Sequence, residues 1–522
     1  MEAALPALAS ARARRFSFVQ KLVLAILLIA LGDRLFFRQH LGSTVGLYAL
    51  ALLLSALSAL PAVRRSRAAL AAAGAALLYA AALGDDPSLL AWGLFWAAAS
   101  LAVLLPRVAR FDDGWRWVLR LLLHALLSAF GPVRDWRVLR RARVRRGPFG
   151  LSRAARLLII PAVGSAVFLA LFSAANPLIG RAFARIDLGV VVAGLAPPRL
   201  IFWLLLAILV WGLLRAPRYL VPSAAPRDGG LAAPSLAPAS IAISLLAFNA
   251  IFALQNGLDI TFLWSGAPLP GELTLAEYAH RGAYPLIATA LLAALFVLVT
   301  LQPGSATAES PLIRRLVYLW IGQNVLLVAS TMLRTVDYIE AYSLTRLRIA
   351  ALVWMALVAI GLVLICYRVW RARGAGWLIN ANFAAAALAL TGCAFVDLGA
   401  VAAQWNVRHA REAGGAGTHL DVCYLRQLGP SALLPLIELE GRRLPADLGA
   451  RIAWVRSAAL QELERSQSDW HGWTFRNHRR LGEAQRLAAA RRLPRLPLDE
   501  RSCDGRPVAV PTAALDSRSG DM

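Results

Sequence analysis

Apolar positions in this chain come in blocks of roughly twenty residues, not in the alternation that marks half-buried strands. The blocks run at 17–37, 42–62, 68–84, 88–105, 157–179, 199–214, 241–264, 284–302, 316–333, 347–367 and 383–403. A helix of that length crosses a hydrocarbon core, and inside lipid a helix satisfies its own backbone donors and acceptors. The pattern predicts an all-α, polytopic membrane protein with about 11 transmembrane helices, 199–214 being the shortest of them. Residues 115–130 are apolar but interrupted by Arg116 and Arg120, which predicts a helix lying in the membrane interface. Residues 221–239, rich in Pro, Ala and Ser, predict a linker. Beyond about 405 the charge rises, and 430–440, 446–467 and 471–492 show amphipathic helical spacing.

The expected organisation is helices one to four in 1–110, a basic connection in 111–156, helices five to eleven in 157–404, a small helical extramembrane tail in 405–493, and disorder over 494–522.

Composition agrees. The hydrophobic fraction is 59% and the charged fraction 16%, too few charges to cover a water-facing surface. Net charge is +25, and of 55 basic residues only Lys21 is a lysine. A pI near 11.3 would suggest nucleic acid as the partner of a soluble protein. Here the charge is gathered in short connections, where the positive-inside rule accounts for it; the lipid bilayer is the expected partner, and nucleic acid is not. The basic connections follow the even-numbered spans, as with Arg64, Arg65 and Arg67 after the second and Arg368, Arg371 and Arg373 after the tenth, whereas Asp85 and Asp86 follow the third. This predicts a cytoplasmic N-terminus and an extracytoplasmic tail. Arg12, Arg14, Arg15 and Lys21 precede an apolar run too long for a signal peptide, so the first helix is expected to be a retained anchor.

Polar groups inside spans are costly and are the first place to look for function. In the seventh span Asn249 and Asn256 are seven residues apart and project within about 20° of each other, with Asp259 on the adjoining flank. The ninth adds Gln323, Asn324 and Thr331, and the eleventh Asp397. Asn249, Asn256, Asp259, Gln323, Asn324 and Asp397 are therefore candidates for a polar pathway; helix-to-helix hydrogen bonding is the competing explanation.

Two outer connections are charged. In one, Thr274 and Glu277 form a T-x-x-E capping box, Glu277 and Arg281 are spaced for an ion pair, and His280 lies beside them. In the other, RTVDYIEAYSLTRLR, Arg334, Asp337, Glu340, Arg346 and Arg348 crowd together, and Arg348 is expected to snorkel or to pair with a carboxylate. Glu277, His280, Arg281, Asp337, Glu340 and Arg346 form a candidate outer-face cluster, either the mouth of a vestibule or a salt-bridged loop pair.

No Walker motif is present, and His409, His419, His471 and His478 lack metal-ligand spacing, so neither cofactor nor metal is implied. Cys423 and Cys503 would be able to pair in an oxidising compartment, although the second lies in the segment expected to be disordered. Trp470 and Trp473 share a helical face, which suits packing against a core or the membrane.

The stretches LTLAEYAHRGAYPL and EAYSLTRLRIAALVWM, Asp397 followed by Asn406-Val407-Arg408, and THLDVCYLRQLGPSALLPLIE resemble a family of bacterial multi-pass membrane proteins known as a domain of unknown function (number 4173). The resemblance covers about 155–445 and implies a bacterial plasma-membrane protein, but no reaction. A transport-related function comes first, then a sensor or assembly scaffold acting through the tail, then an enzyme acting on a lipid-linked substrate.

Overall fold

The structure, a computed structural model, describes residues 4–107, 113–128, 130–131, 197–215, 238–265, 292, 296, 310–497 and 499–507, with side chains from residue 19 onward. The expected span at 157–179, that at 284–302 except for 292 and 296, the basic connection 132–156, most of the linker (221–237), and Thr274, Glu277, His280 and Arg281 lie outside the described residues.

The elements are α-helical: α1 (Ala4–Phe36), α2 (Thr44–Ala59), α3 (Pro61–Arg65), α4 (Arg67–Asp85), α5 (Leu89–Leu104), α6 (Gly114–Ser128), α7 (Pro197–Leu214), α8 (Pro238–Asp259), α9 (Pro311–Tyr342), α10 (Arg346–Trp370), α11 (Ala375–Phe395), α12 (Leu398–His409), α13 (Val422–Leu428), α14 (Leu433–Glu440), α15 (Ala446–Ser468) and α16 (Phe475–Ala490). Among the described residues, seven helical stretches are long and apolar enough to cross a membrane: Arg67–Asp85, Leu89–Arg107, Pro197–Leu214, Pro238–Trp264, Pro311–Tyr342, Arg346–Trp370 and Ala375–Phe395. They match the expected third, fourth, sixth, seventh, ninth, tenth and eleventh spans; the expected fifth and eighth fall on residues outside those described, so the seven are a count of the described residues alone. The first two apolar blocks fall on α1 and on the shorter α2.

Large apolar side chains point outward from these helices, Leu388 at 75% exposure and Leu254 at 68% among them. A water-facing surface of that kind would aggregate, whereas lipid tolerates it. α6 has the same inversion. Trp117, Arg120, His124 and Ser128 occupy its buried stripe, while Trp115, Leu119, Leu122 and Leu126 are exposed.

The chain divides into two compact units, one comprising 1–81, 93–111 and 118–221, the other 82–92, 112–117 and 222–522. In the first, Asp33 near the end of α1 accepts from Arg199 (Nε 2.9 Å, Nη2 2.5 Å) and from the Trp203 indole (2.8 Å), both on α7. Gly32 lets α7 approach: a Cβ there would lie 2.8 Å from Leu206 Cδ1.

The second unit joins a helix bundle to the tail. The expected eleventh span, 383–403, is displaced. α11 covers Ala375–Phe395, the backbone turns extended at Val396 and Asp397, and α12 starts anew at Leu398. The Asp397 side chain causes the restart by accepting from the Ala400 amide at 2.9 Å, as an N-cap. The connection expected between the ninth and tenth spans is also mostly helical, because α9 runs on through Tyr342 and only 343–345 separate it from α10. Ser343 makes that sharp reversal at φ 69°, a left-handed conformation rare for residues with a Cβ.

The tail packs around Leu425, Leu436, Ile452 and Val455. Its Arg456 is fully buried and donates to Glu440 Oε2 (2.5 Å) and Pro494 O (2.6 Å). Within the stretch expected to be disordered, residues 499–507 are held against the tail. Cys423 and Cys503 form a disulfide with Cα atoms 4.8 Å apart, Arg501 bridges Pro507, and Arg451 holds Asp504 at 2.9 Å. The sequence allowed this pairing and counted against it only the disorder expected around Cys503.

Candidate functional site

α8 and α9 pack along their length, and the bonds between them keep one register. Asn249 Nδ2 donates to Leu316 O (3.1 Å), and Asn256 Nδ2 donates to Gln323 O (3.1 Å), each across 67 positions of sequence. Trp264 Nε1 reaches Ser330 Oγ at 3.0 Å across 66. A separation that stays constant along two helices means that they run parallel. The two asparagines, one heptad apart, thus grip two carbonyls one heptad apart.

Gln323 Nε2 closes the seam from the other side, donating to Asn249 Oδ1 at 2.7 Å. About one heptad and a half further on, Asp259 accepts from Gln255 Nε2 (3.0 Å) and from the Arg334 guanidinium on α9. This ion pair is closed off, with the Asp259 side chain 0% and the Arg334 side chain 4% exposed. A single π-helical turn, Ile260–Trp264, follows Asp259 directly and swings Trp264 toward α9. Arg334 was legible only as part of a charged connection. Its pairing could have been found from depth: it lies eleven residues beyond Gln323, as Asp259 lies ten beyond Asn249.

The amides of the seam are oriented by what they face. The Asn256 and Asn324 NH2 groups meet the backbone carbonyls of Gln323 and Trp320, which can only accept. Their oxygens are therefore fixed as acceptors, and Asn256 Oδ1, Gln323 Oε1 and Asn324 Oδ1 are buried without a hydrogen-bond partner. Buried acceptors of this kind cost free energy and call for an explanation.

Asp397 does not join this group. It is held at the tail end of the bundle by Ser431 Oγ (2.9 Å) and Arg480 Nη2 (2.5 Å) as well as by the Ala400 amide. Burial pushes its carboxyl up, but the Ala400 amide, Arg480 and Ser431 outweigh that and hold it below the usual range. Beside it, Arg476 donates to Asp85 (2.9 Å), Asp86 (2.9 Å) and Phe395 O (3.0 Å), and Arg479 reaches Asp85 at 2.8 Å. Burial lifts the Asp86 carboxyl; Arg476 opposes the lift, and the neighbouring Asp397 and Asp85 add to it. Sequence reasoning missed this clasp, because nothing local links α16 to a loop some 390 positions earlier.

The outer-face residues separate. Asp337 lies on α9 three residues beyond Arg334 and is half-buried. Arg346 is exposed at the start of α10, and its amide donates to the Tyr424 hydroxyl at 2.9 Å. Arg348, expected to snorkel or to pair with a carboxylate, caps the end of α9. It donates to Tyr342 O (2.6 Å) and Ser343 O and lies 4.5 Å over the Tyr338 ring. Helix ends leave carbonyls unsatisfied, and a guanidinium fork fits them. Glu340 borders a cavity of about 140 Å³ shared with Ser343, Trp405, Asn406, His409 and Thr418. His409 stacks on Trp405 at 3.8 Å, and Asn406 pairs with both backbone groups of Leu344, at 2.6 and 3.0 Å. Among the described residues no cluster of three or more His, Cys, Asp or Glu is placed to hold a metal.

A family model described as Domain of unknown function (DUF4153) matches residues 68–439, so the family number is 4153 where the sequence suggested 4173. No curated protein and no solved structure matches the chain.

Proposed function

The chain belongs to the family described as Domain of unknown function (DUF4153), and from that premise we propose a multi-pass protein of the bacterial plasma membrane with a transport-related function centred on the α8–α9 seam. The observation that carries this reading is the enclosed Asp259–Arg334 pair between two membrane-crossing helices. Taking both charges out of water costs several kcal/mol per ion, and apolar side chains would hold two helices together as well. Charges enclosed between such helices at that cost are a usual mark of a pathway, and here the pair stands near the outer end of the spans. The acceptor oxygens of Asn256, Gln323 and Asn324 extend the polar line from the pair toward the middle of the spans. They suit a cargo that donates: a hydrated cation, an ammonium group or a transferred proton.

The sidedness supports an extracytoplasmic tail. In the second unit, Arg314 and Arg315 at the start of α9 and Arg368, Arg371 and Arg373 at the close of α10 mark one end of the bundle. Asp85, Asp86, the α9–α10 reversal and the tail mark the other. Basic residues favour the cytoplasmic end, and a disulfide favours an oxidising compartment at the tail end.

The test is thiol accessibility at Asn249→Cys, Asn256→Cys and Asn324→Cys in a Cys366→Ala, Cys393→Ala chain. A membrane-impermeant reagent should modify at least the position nearest an open end, and faster in one conformational state than in another. Complete protection at all three, in vesicles and in cells, would remove the transport reading.

A scaffold or sensor reading is second, favoured by the clasp through which Arg476, Arg479 and Arg480 tie the tail to the bundle end. It predicts that crosslinking from the tail recovers a protein partner.

A further inference from the structure

The turn before α16 and the first residue of that helix carry two large apolar side chains that the fold leaves uncovered: Trp470 is 56% and Phe475 57% exposed. The rest of that helix is polar outward, with Arg479 and Arg486 at 73% and 77% exposure. What lies against Trp470 and Phe475 follows from depth. Arg476, the neighbour of Phe475, donates to the carbonyl of Phe395 and to Asp85, the last residues of α11 and α4. α11 has 21 residues, which at about 1.5 Å per residue spans roughly 30 Å. That is the thickness of the hydrocarbon layer and no more, so Phe395 lies at its edge. Phe475 is a single peptide unit from Arg476 and so lies within an arginine's reach of that level, where Phe395 (39%) and Val396 (48%) are also exposed.

We propose that the 470–479 segment is a lipid-docking edge, with Trp470 and Phe475 entering the headgroup–acyl boundary of the tail-side leaflet and Arg479, one of whose nitrogens holds Asp85, turning its exposed remaining donors to the phosphates. Aromatic rings prefer that boundary, and a guanidinium beside them reaches outward to the headgroups. The clasp then has a second role: the bonds from Arg476 and Arg480 set the height at which the edge meets the membrane. The inference rests on the bundle crossing a bilayer and not on transport, so loss of the transport reading leaves it standing.

Nitroxide labels at Trp470→Cys, Phe475→Cys and, as a control two turns further along α16, Glu483→Cys test it. The chain is full-length, lacks Cys366 and Cys393 and keeps its disulfide, and it is reconstituted in phosphatidylcholine vesicles with or without phosphatidylglycerol. At 470 and 475 molecular oxygen should relax the label several-fold more effectively than a water-soluble nickel chelate, with the reverse at 483. Oxygen preference in both vesicle types assigns the docking to the aromatic rings; preference only with phosphatidylglycerol assigns it to Arg479 and anionic headgroups. Labels at 470 and 475 that behave like 483 overturn the proposal, as do labels shielded from both relaxants, which would mean that protein covers them. A label-free check is Trp470→Phe. The variant should lose part of the fluorescence quenched by lipids brominated near the carbonyl end of the acyl chains, and an unchanged quenched fraction also overturns the proposal.

Discussion

Arg480 and Asp397 meet at 2.5 Å although 83 positions separate them, and both side chains are largely shielded, at 10% and 16% exposure. The same carboxylate caps α12, so one residue both restarts the chain after its last span and receives the tail. Removing the cation, as in Arg480→Met, should loosen α16 by about 1.5–3 kcal/mol, the range for hydrogen bonds to charged groups. Proteolysis at the 469–474 turn, compared between the variant and the parent chain, measures it.

Acid should act on the clasp in two opposite steps. Asp86 has its carboxyl raised, so between its raised value and the ordinary one near pH 4 the folded state binds the extra proton, and stability rises as pH falls. Asp397 is depressed, so its contribution is complete above the ordinary value and is lost as pH falls through its own lower one. Protection of α16 from hydrogen exchange, corrected for intrinsic rates, should therefore peak near pH 4. Asp86→Asn should abolish the rise on the upper side, and Asp397→Asn the fall on the lower. A monotonic profile in the parent chain would contradict this assignment.

For Asp259 and Arg334 the single and double changes should differ in kind. Arg334→Met leaves a buried carboxylate and should cost about 3–5 kcal/mol, whereas Asp259→Leu with Arg334→Met should recover most of it. Thermal unfolding of the detergent-purified chain decides. If the double variant is as unstable as the single one, the charges are not coupled to each other.

Asn406 satisfies the amide and the carbonyl of Leu344 together, at 2.6 and 3.0 Å. Asn406→Ala strands both buried groups, at about 1–3 kcal/mol for each unsatisfied one. Asn406→Asp keeps the acceptor and should fall between. The ordering Asn, Asp, Ala in melting temperature is the expected readout.

Much of the architecture was readable because lipid imposes a length: a helix shorter than the hydrocarbon layer leaves backbone groups unpaired, so block lengths in the sequence report crossings directly. The alignment of Asn249 with Asn256 was readable for a similar reason, since a heptad returns to nearly the same helical face. Their partners were not. Leu316 and Gln323 contribute backbone carbonyls, which every residue possesses, so no side-chain pattern could single them out. Asp397 misled because an aspartate at the end of an apolar run reads equally as an intramembrane charge or as the cap of a new helix; the extended backbone at Val396 decides for the cap. Arg476, Arg479 and Arg480 sat in a helix rich in arginine, and only the fold shows that these three reach carboxylates far away in sequence while Arg486 pairs within the helix with Glu483.

The disulfide gives one more expected outcome. Cys503→Ser should free residues 499–507 and lower tail stability by about 2–4 kcal/mol, and Cys423→Ser should cost no more when added to it. Protease sensitivity near Arg501 reports both.

Because Cys423 and Cys503 close a covalent ring, a single cut at any peptide bond inside it severs the backbone without parting the molecule. A chain nicked at the 469–474 turn would migrate as one species on a denaturing gel and fall into two only when a thiol is added. The tail can thus be clipped by a passing protease and still stay tethered to its anchor.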